Sequence, residues 1–187
     1  DLFSSHAASA GGLVRKNVFL NWYDIPNVNF AKPWWSSSCA NELTYDGKCI
    51  LAVSDFNFGA ITGAHCMFFN KNLANAYDFG NLYKVVMDGD WTFDYFYNLI
   101  KDVYIDSDGS GTPTEGDFYG YAQPYTYNCP INSWLWAFDN PIATKDADGV
   151  PVLSIKTDKI NNIVNNIYDL CYNTKGVYFV ADNTSKQ

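Results

Sequence analysis

Arginine is nearly absent from this chain. Arg15 stands alone beside 11 lysines, against 18 aspartates and 2 glutamates, giving a formal net charge of −8. A nucleic-acid binder needs a basic footprint, with arginine to read phosphates and base edges, so that class is excluded. Histidine is almost as scarce, with only His6 and His65. The five cysteines (Cys39, Cys49, Cys66, Cys129, Cys171) are too widely spaced for a CxxC knuckle, so a structural zinc site lacks its ligands. Five thiols cannot all pair within one chain. Cys49, Cys66 and Cys171 sit beside apolar residues and read as small buried hydrophobes. Long apolar runs are missing too. Cys49–Val53 and Cys66–Phe69 are typical of the longest, far short of the ~18 residues a membrane-spanning helix needs. The only glutamates, Glu42 and Glu115, lie in no recognisable catalytic setting. There is no Gly-x-Ser-x-Gly elbow, no phosphate-binding glycine loop and no HExxH. A glycosidase would have to draw its two opposed carboxyl groups from aspartates, and the expectation is a protein without catalysis. The chain opens at Asp1 with no methionine and no signal peptide, as expected where a leader has been removed or the chain is an internal piece.

Aromatic residues are what the chain has in excess: 13 Phe, 14 Tyr and 6 Trp, 18% of all residues. Sugars stack their C–H faces on rings and hydrogen-bond to amides and carboxylates. An acidic surface rich in rings and asparagine therefore leans toward neutral polyhydroxylated ligands.

Local patterns place the elements. Ala7–Val14 is a small-residue helical run, and Trp22–Trp35 is loop-like because Pro26 and Pro33 block regular structure. Tyr45-Asp46-Gly47-Lys48 signals a turn into a buried strand, Cys49–Val53. A second strand is expected over roughly Ile61–Phe69, and Asn70-Lys71-Asn72-Leu73 reads as a helix start. Thr92 can cap a helix with Phe96, Leu99, Ile100 and Val103 on one face. Thr157 is expected to cap another, with Ile160, Ile163, Val164, Ile167 and Cys171 inward and its asparagines outward. Between them Asp146-Ala147-Asp148-Gly149 is a hairpin turn. Helices alternating with strands argue α/β or α+β.

The Asp/Gly-rich segment Asp106–Asp117 has the register of a calcium loop following the Thr92 helix. Asp106 falls at position 1, Asp108 at 3, Ser110 at 5, Gly111 at the sharp turn, the Thr112 carbonyl at 7 and Asp117 at 12. Asp117 is shorter than the usual bidentate glutamate, and Pro113 lacks the N–H by which paired loops join. One unpaired, structural Ca²⁺ site is therefore expected; the alternative is a solvated acidic turn.

Several landmarks stand in a suggestive order: Lys32-Pro33-Trp34-Trp35, Leu43–Lys48 running into a strand, Phe68–Leu73, Asp88–Asp94 opening a helix, the Asp106–Gly120 loop and the Thr157 helix. Together they resemble the extracellular solute-binding proteins, family 1, of ABC importers, the maltose-binding-protein-like group. The resemblance implies an α/β, type II periplasmic-binding-protein-like fold of two lobes that close over a ligand. Residues 1–46 would be a partial first lobe, 47–54 the crossover strand and hinge, and 55–187 an incomplete second lobe. It further implies binding of an extracellular oligosaccharide or other neutral solute without turnover. The partner would be a membrane permease, and the location the extracellular face of a bacterial cell, as a periplasmic protein or a membrane-anchored lipoprotein.

The same resemblance places ligand contacts on loops at the lobe interface. Candidates are Ser5 and His6 after the first strand, Asp55 and Asn57 after the crossover strand, and Tyr125, Tyr127, Trp134 and Trp136 as stacking aromatics. Trp34-Trp35 is expected to be a structural anchor. A calcium-dependent carbohydrate-binding or adhesion module is the alternative, though such modules usually duplicate the acidic loop and here there is one.

Overall fold

A computed structural model describes residues 2–4, 7–63, 65–124, 129–155 and 157–180. In chain order its helices are α1 (Ala7–Val14), α2 (Ser37–Glu42), α3 (Phe58–Thr62), α4 (Lys71–Ala76), α5 (Leu82–Met87), α6 (Phe93–Ile100), α7 (Cys129–Ala137) and α8 (Thr157–Tyr168). The strands are β1 (Thr44–Tyr45), β2 (Lys48–Cys49), β3 (Tyr104–Ile105), β4 (Phe118–Tyr119), β5 (Tyr121–Pro124), β6 (Ala143–Lys145), β7 (Pro151–Leu153) and β8 (Val177–Val180). The described strands pair two by two: β1–β2, β3–β4 and β6–β7 antiparallel, β5–β8 parallel. The chain divides into two units, residues 1–66 with 143–153, and residues 67–142 with 154–187.

The first unit is held by rings and by one asparagine. Trp35 packs on Trp22 and Phe30 with centroids 5.7 and 5.0 Å away, and Phe30 meets Tyr23 at 5.5 Å. The Asn21 carboxamide oxygen accepts from the Tyr23 N–H at 3.2 Å and, 28 positions along the chain, from the Cys49 N–H at 2.9 Å. That bond fixes the β1–β2 hairpin against the Trp22–Asp24 turn and leaves Cys49 fully buried. Trp35 thus anchors its own unit, while Trp34 is half exposed. The expected strand Cys49–Val53 is a ladder only at Lys48–Cys49; beyond it the chain makes one bridge, Trp35 to Ser54.

Among the described residues, the strand expected over Ile61–Phe69 does not form. Asn57 opens α3 instead: its side chain accepts from the Ser54 N–H at 3.0 Å and its carbonyl from the Ala60 N–H at 2.9 Å. Helix α3 takes Ile61 and Thr62, and residues 65–69 join no ladder. Cys66, read as buried, is exposed, because no described strand carries it inward.

The second unit holds the larger core. Thr92 caps α6 by accepting from the Tyr95 N–H at 3.1 Å, and Phe96 and Ile100 then pack with Leu170 and Val177. A second cluster joins Leu135, Ile163, Ile167 and Cys171. Val164, expected inward, is 52% exposed, since the buried stripe of α8 runs through Ile163 and Ile167 and one residue further lies 100° around the helix. A π-helical turn, Asp169–Asn173, extends α8 and brings Leu170 and Cys171 into the core. Gly120 and Gly176, which open β5 and β8, cross the carboxyl end of α6. A Cβ on Gly120 would lie 2.8 Å from the Ile100 carbonyl oxygen, and one on Gly176 would land on that carbonyl.

Candidate functional site

The acidic loop is clasped by strands. Helix α6 ends at Ile100, and β3 pairs with β4, Tyr104 opposite Tyr119 and Ile105 opposite Phe118, so Asp106–Asp117 closes a hairpin. The expected direct passage from helix into loop is thus corrected: the β-favouring pair Tyr104-Ile105 finds a partner strand instead.

Within the loop each carboxylate organises backbone. Asp106 accepts from the Gly109 N–H at 2.7 Å with one oxygen and from the Gly111 N–H at 2.9 Å with the other. Gly111 sits at φ +73°, the left-handed conformation the sharp turn demands. Asp108 accepts from the Ser110 N–H at 2.9 Å and the Thr114 hydroxyl at 2.8 Å. Asp117 reaches back across the loop, accepting from the Ser107 N–H at 2.9 Å, the Thr114 N–H at 2.8 Å and the Tyr104 hydroxyl at 3.0 Å. The Ser110 hydroxyl donates to the Thr112 carbonyl at 2.9 Å.

These donors stabilise charge. The Ser110 N–H, with further hydrogen bonds, holds the Asp108 carboxyl down at about 2, and the Thr114 N–H leads the bonds that lower Asp117. Partial burial, and then the bond to Asp117, pushes the Tyr104 phenol up to about 12. Carboxyls held this low are poor proton donors at neutral pH, so the loop carries charge rather than protons. One oxygen from each of Asp106, Asp108 and Asp117 can be chosen so that all three lie within 4.8 Å of one another. Ca²⁺ binds oxygens at about 2.3–2.6 Å, so donors on opposite sides of one ion stand roughly 4.6–5.2 Å apart. The spacing of the three aspartates falls within that span; Asp117 Oδ2 already accepts from both Thr114 and Tyr104, whereas its Oδ1 accepts only from Ser107 and keeps a lone pair. Thr114, at position 9, joins the network through its hydroxyl and was missed in the sequence, although the loop register pointed at it.

The ligand candidates are placed differently. Ser5, His6, Tyr125 and Tyr127 lie outside the described residues. Asp55 is exposed, and its N–H bonds to the Trp34 carbonyl at 2.9 Å; the Asn57 side chain accepts from the Ser54 N–H at 3.0 Å. Both belong to the first unit, while Trp134 and Trp136 belong to the second. Trp134 bridges the two core clusters, with Phe93 and Phe96 at 5.8 and 5.9 Å, and its indole N–H donates to buried Gln123 at 2.8 Å. Trp136, two residues on, is 65% exposed. No protein-family model, curated protein or solved structure matches this chain.

Proposed function

We propose that the chain is part of the extracellular solute-binding component of an ABC importer. It takes a neutral polyhydroxylated solute without turning it over, and its second unit is braced by one structural Ca²⁺ held by the Asp106–Asp117 loop. The order of sequence landmarks supports the transport reading, and the exposed ring of Trp136 supplies a stacking surface. The observation that carries the metal is the convergence of the Asp106, Asp108 and Asp117 oxygens in the register of a calcium loop. Asp106, Asp108 and Asp117 would hold the ion with the Ser110 hydroxyl and the Thr112 carbonyl. Bound there, it neutralises a cluster of negative charge that otherwise repels itself. The residues themselves already fold the loop around the site through their bonds to Gly109, Gly111, Ser110 and Thr114.

Two measurements test this. Calorimetry of EDTA-treated protein should show one Ca²⁺ bound per chain and a rise in melting temperature. An unchanged melt at millimolar Ca²⁺ would reduce the loop to an acidic turn. Tryptophan fluorescence titrated with neutral oligosaccharides should shift, and Trp136→Ala should weaken the response. Binding to a partner protein that EDTA abolishes, with no response to any sugar, would favour the adhesion module instead.

A further inference from the structure

A groove of about 610 Å³ lies in the second unit, beside the π-helical turn and β8. Pro113, Tyr172, Asn173, Lys175, Tyr178 and Phe179 line it. Its size falls within the usual range of small-ligand clefts, which are mostly apolar with a few polar groups.

Three features give it a chemical character. The first is a row of rings. Tyr168 and Tyr172 have centroids 5.0 Å apart, and Tyr172 meets Phe179 at 5.3 Å. The row begins in solvent, with Tyr168 55% and Tyr172 60% exposed, and runs into the groove. The second is the π-helical turn, Asp169–Asn173, which carries Tyr172 and Asn173. Such turns gather at functional sites because they re-aim side chains away from the regular helical stripe. The third is charge. Among the described residues no carboxylate lines the groove, in a chain of net charge −8, and the Asp169 carboxylate beside it is bonded to the Asn173 amide. The groove's one cation, Lys175, sits 4.8 Å over the Tyr104 ring. The Asp169 carboxylate is already engaged by Asn173, and an anionic ligand is opposed by the field of the whole chain.

We infer that this groove is a neutral-saccharide subsite, in which sugar C–H faces stack on Tyr172 and Tyr168 and hydroxyls bond to the Asn173 amide oxygen and the tyrosine hydroxyls. Asn173, an exposed residue, donates one amide hydrogen to Asp169 at 2.7 Å, and its amide oxygen can serve as an acceptor. The exposed flank of α8 continues the surface with Asn161 and Asn165, which fall on one stripe with Tyr168 and Tyr172 at steps of 4, 3 and 4 residues. The inference rests on the proposed solute class, but it names a place that the sequence candidates did not include.

The test is a titration of the whole chain with maltotetraose, cellotetraose and xylotetraose, followed by backbone amide NMR. At least one sugar should shift the amides of Asn173, Lys175 and Phe179. Tyr172→Ala should weaken that sugar by about tenfold, as expected for losing a central stacking ring. Tyr172→Phe, which keeps the ring, should retain most of the affinity. Tyr172 is exposed, so both variants should fold, which far-ultraviolet circular dichroism checks. Shifts confined to Trp136 or Asp55, with the groove amides silent, would overturn the subsite and leave the solute-binding reading standing. No shift with any of the three sugars would overturn both.

Discussion

The indole N–H of Trp134 donates to the Gln123 carboxamide oxygen, which also accepts from the Tyr121 hydroxyl at 3.0 Å. Because an indole N–H only donates, it fixes which end of the amide is oxygen. The Gln123 amide nitrogen is then buried with no partner, and the Asn140 amide nitrogen is in the same condition. Trp134→Phe keeps a ring between the two core clusters but deletes that donor. Because the Gln123 oxygen keeps its bond from Tyr121, this substitution should cost about 0.5–1.5 kcal/mol by chemical denaturation, the range for one lost hydrogen bond, whereas Trp136→Ala should change stability by roughly 0.5 kcal/mol or less. At Gly176 the cost is steric: Gly176→Ala drives a methyl into the Ile100 carbonyl, and the chain should fold poorly or melt well below the parent. Asp108 supplies a titration. Its carboxyl is lowered from 3.8 to about 2 in the folded loop, so its contribution is complete above pH 3.8 and disappears as pH falls through 2. In metal-free protein the melting temperature should decline across that window, and Asp108→Asn should flatten the decline.

Elements with a strong local signal are the ones the sequence discloses. Thr92 and Asn70 both cap helices as their positions suggest, Asn70 accepting from the Asn72 and Leu73 N–H groups. The hairpin across Asp146–Gly149 also forms, with the Gly149 backbone at φ +77°. In the acidic loop the sequence named Asp106, Asp108 and Asp117 from spacing alone, because a turn built on side chain-to-backbone bonds is a local object. Spacing gave no warning that Tyr104-Ile105 would pair with Phe118-Tyr119, since strand pairing depends on a partner 13 or more positions away. Nor could it separate Ile163 from Val164, because both belong to an apolar run and only the packing of α8 on Leu135 and Cys171 decides which faces in. That distinction is measurable. Ile163→Ala should cost about 2–5 kcal/mol as a core truncation, while Val164→Ala should stay within roughly 0.5 kcal/mol of the parent. Equal losses at both positions would mean the buried stripe is assigned one residue too narrow.

Across the whole molecule, stability is divided unevenly between the two units. Among the described residues, the buried apolar set of the first unit is small: Ala10, Ala40 and Cys49. The second unit buries Leu82, Phe96, Ile100, Leu135, Ile163, Ile167, Leu170 and Val177. Apolar area removed from water is the main favourable contribution to folding, at about 25 cal/mol per Å², so the second, longer unit is held far more firmly. Ring contacts around Trp35 and the Asn21 bond to Cys49 compensate in part, but they fix one hairpin and one turn rather than a layer. Local opening follows the density of buried contacts. Native-state hydrogen exchange should therefore find amides near Cys49 and Trp35 opening at lower free energy than those of Phe96, Ile100, Ile167 and Leu170. In denaturant, tryptophan emission should respond in two steps, the first carrying Trp22 and Trp35 and the second Trp91 and Trp134. Trp35→Phe should abolish much of the early signal without moving the late midpoint. A single transition with uniform exchange protection would mean that the small core of the first unit unfolds only with the large one.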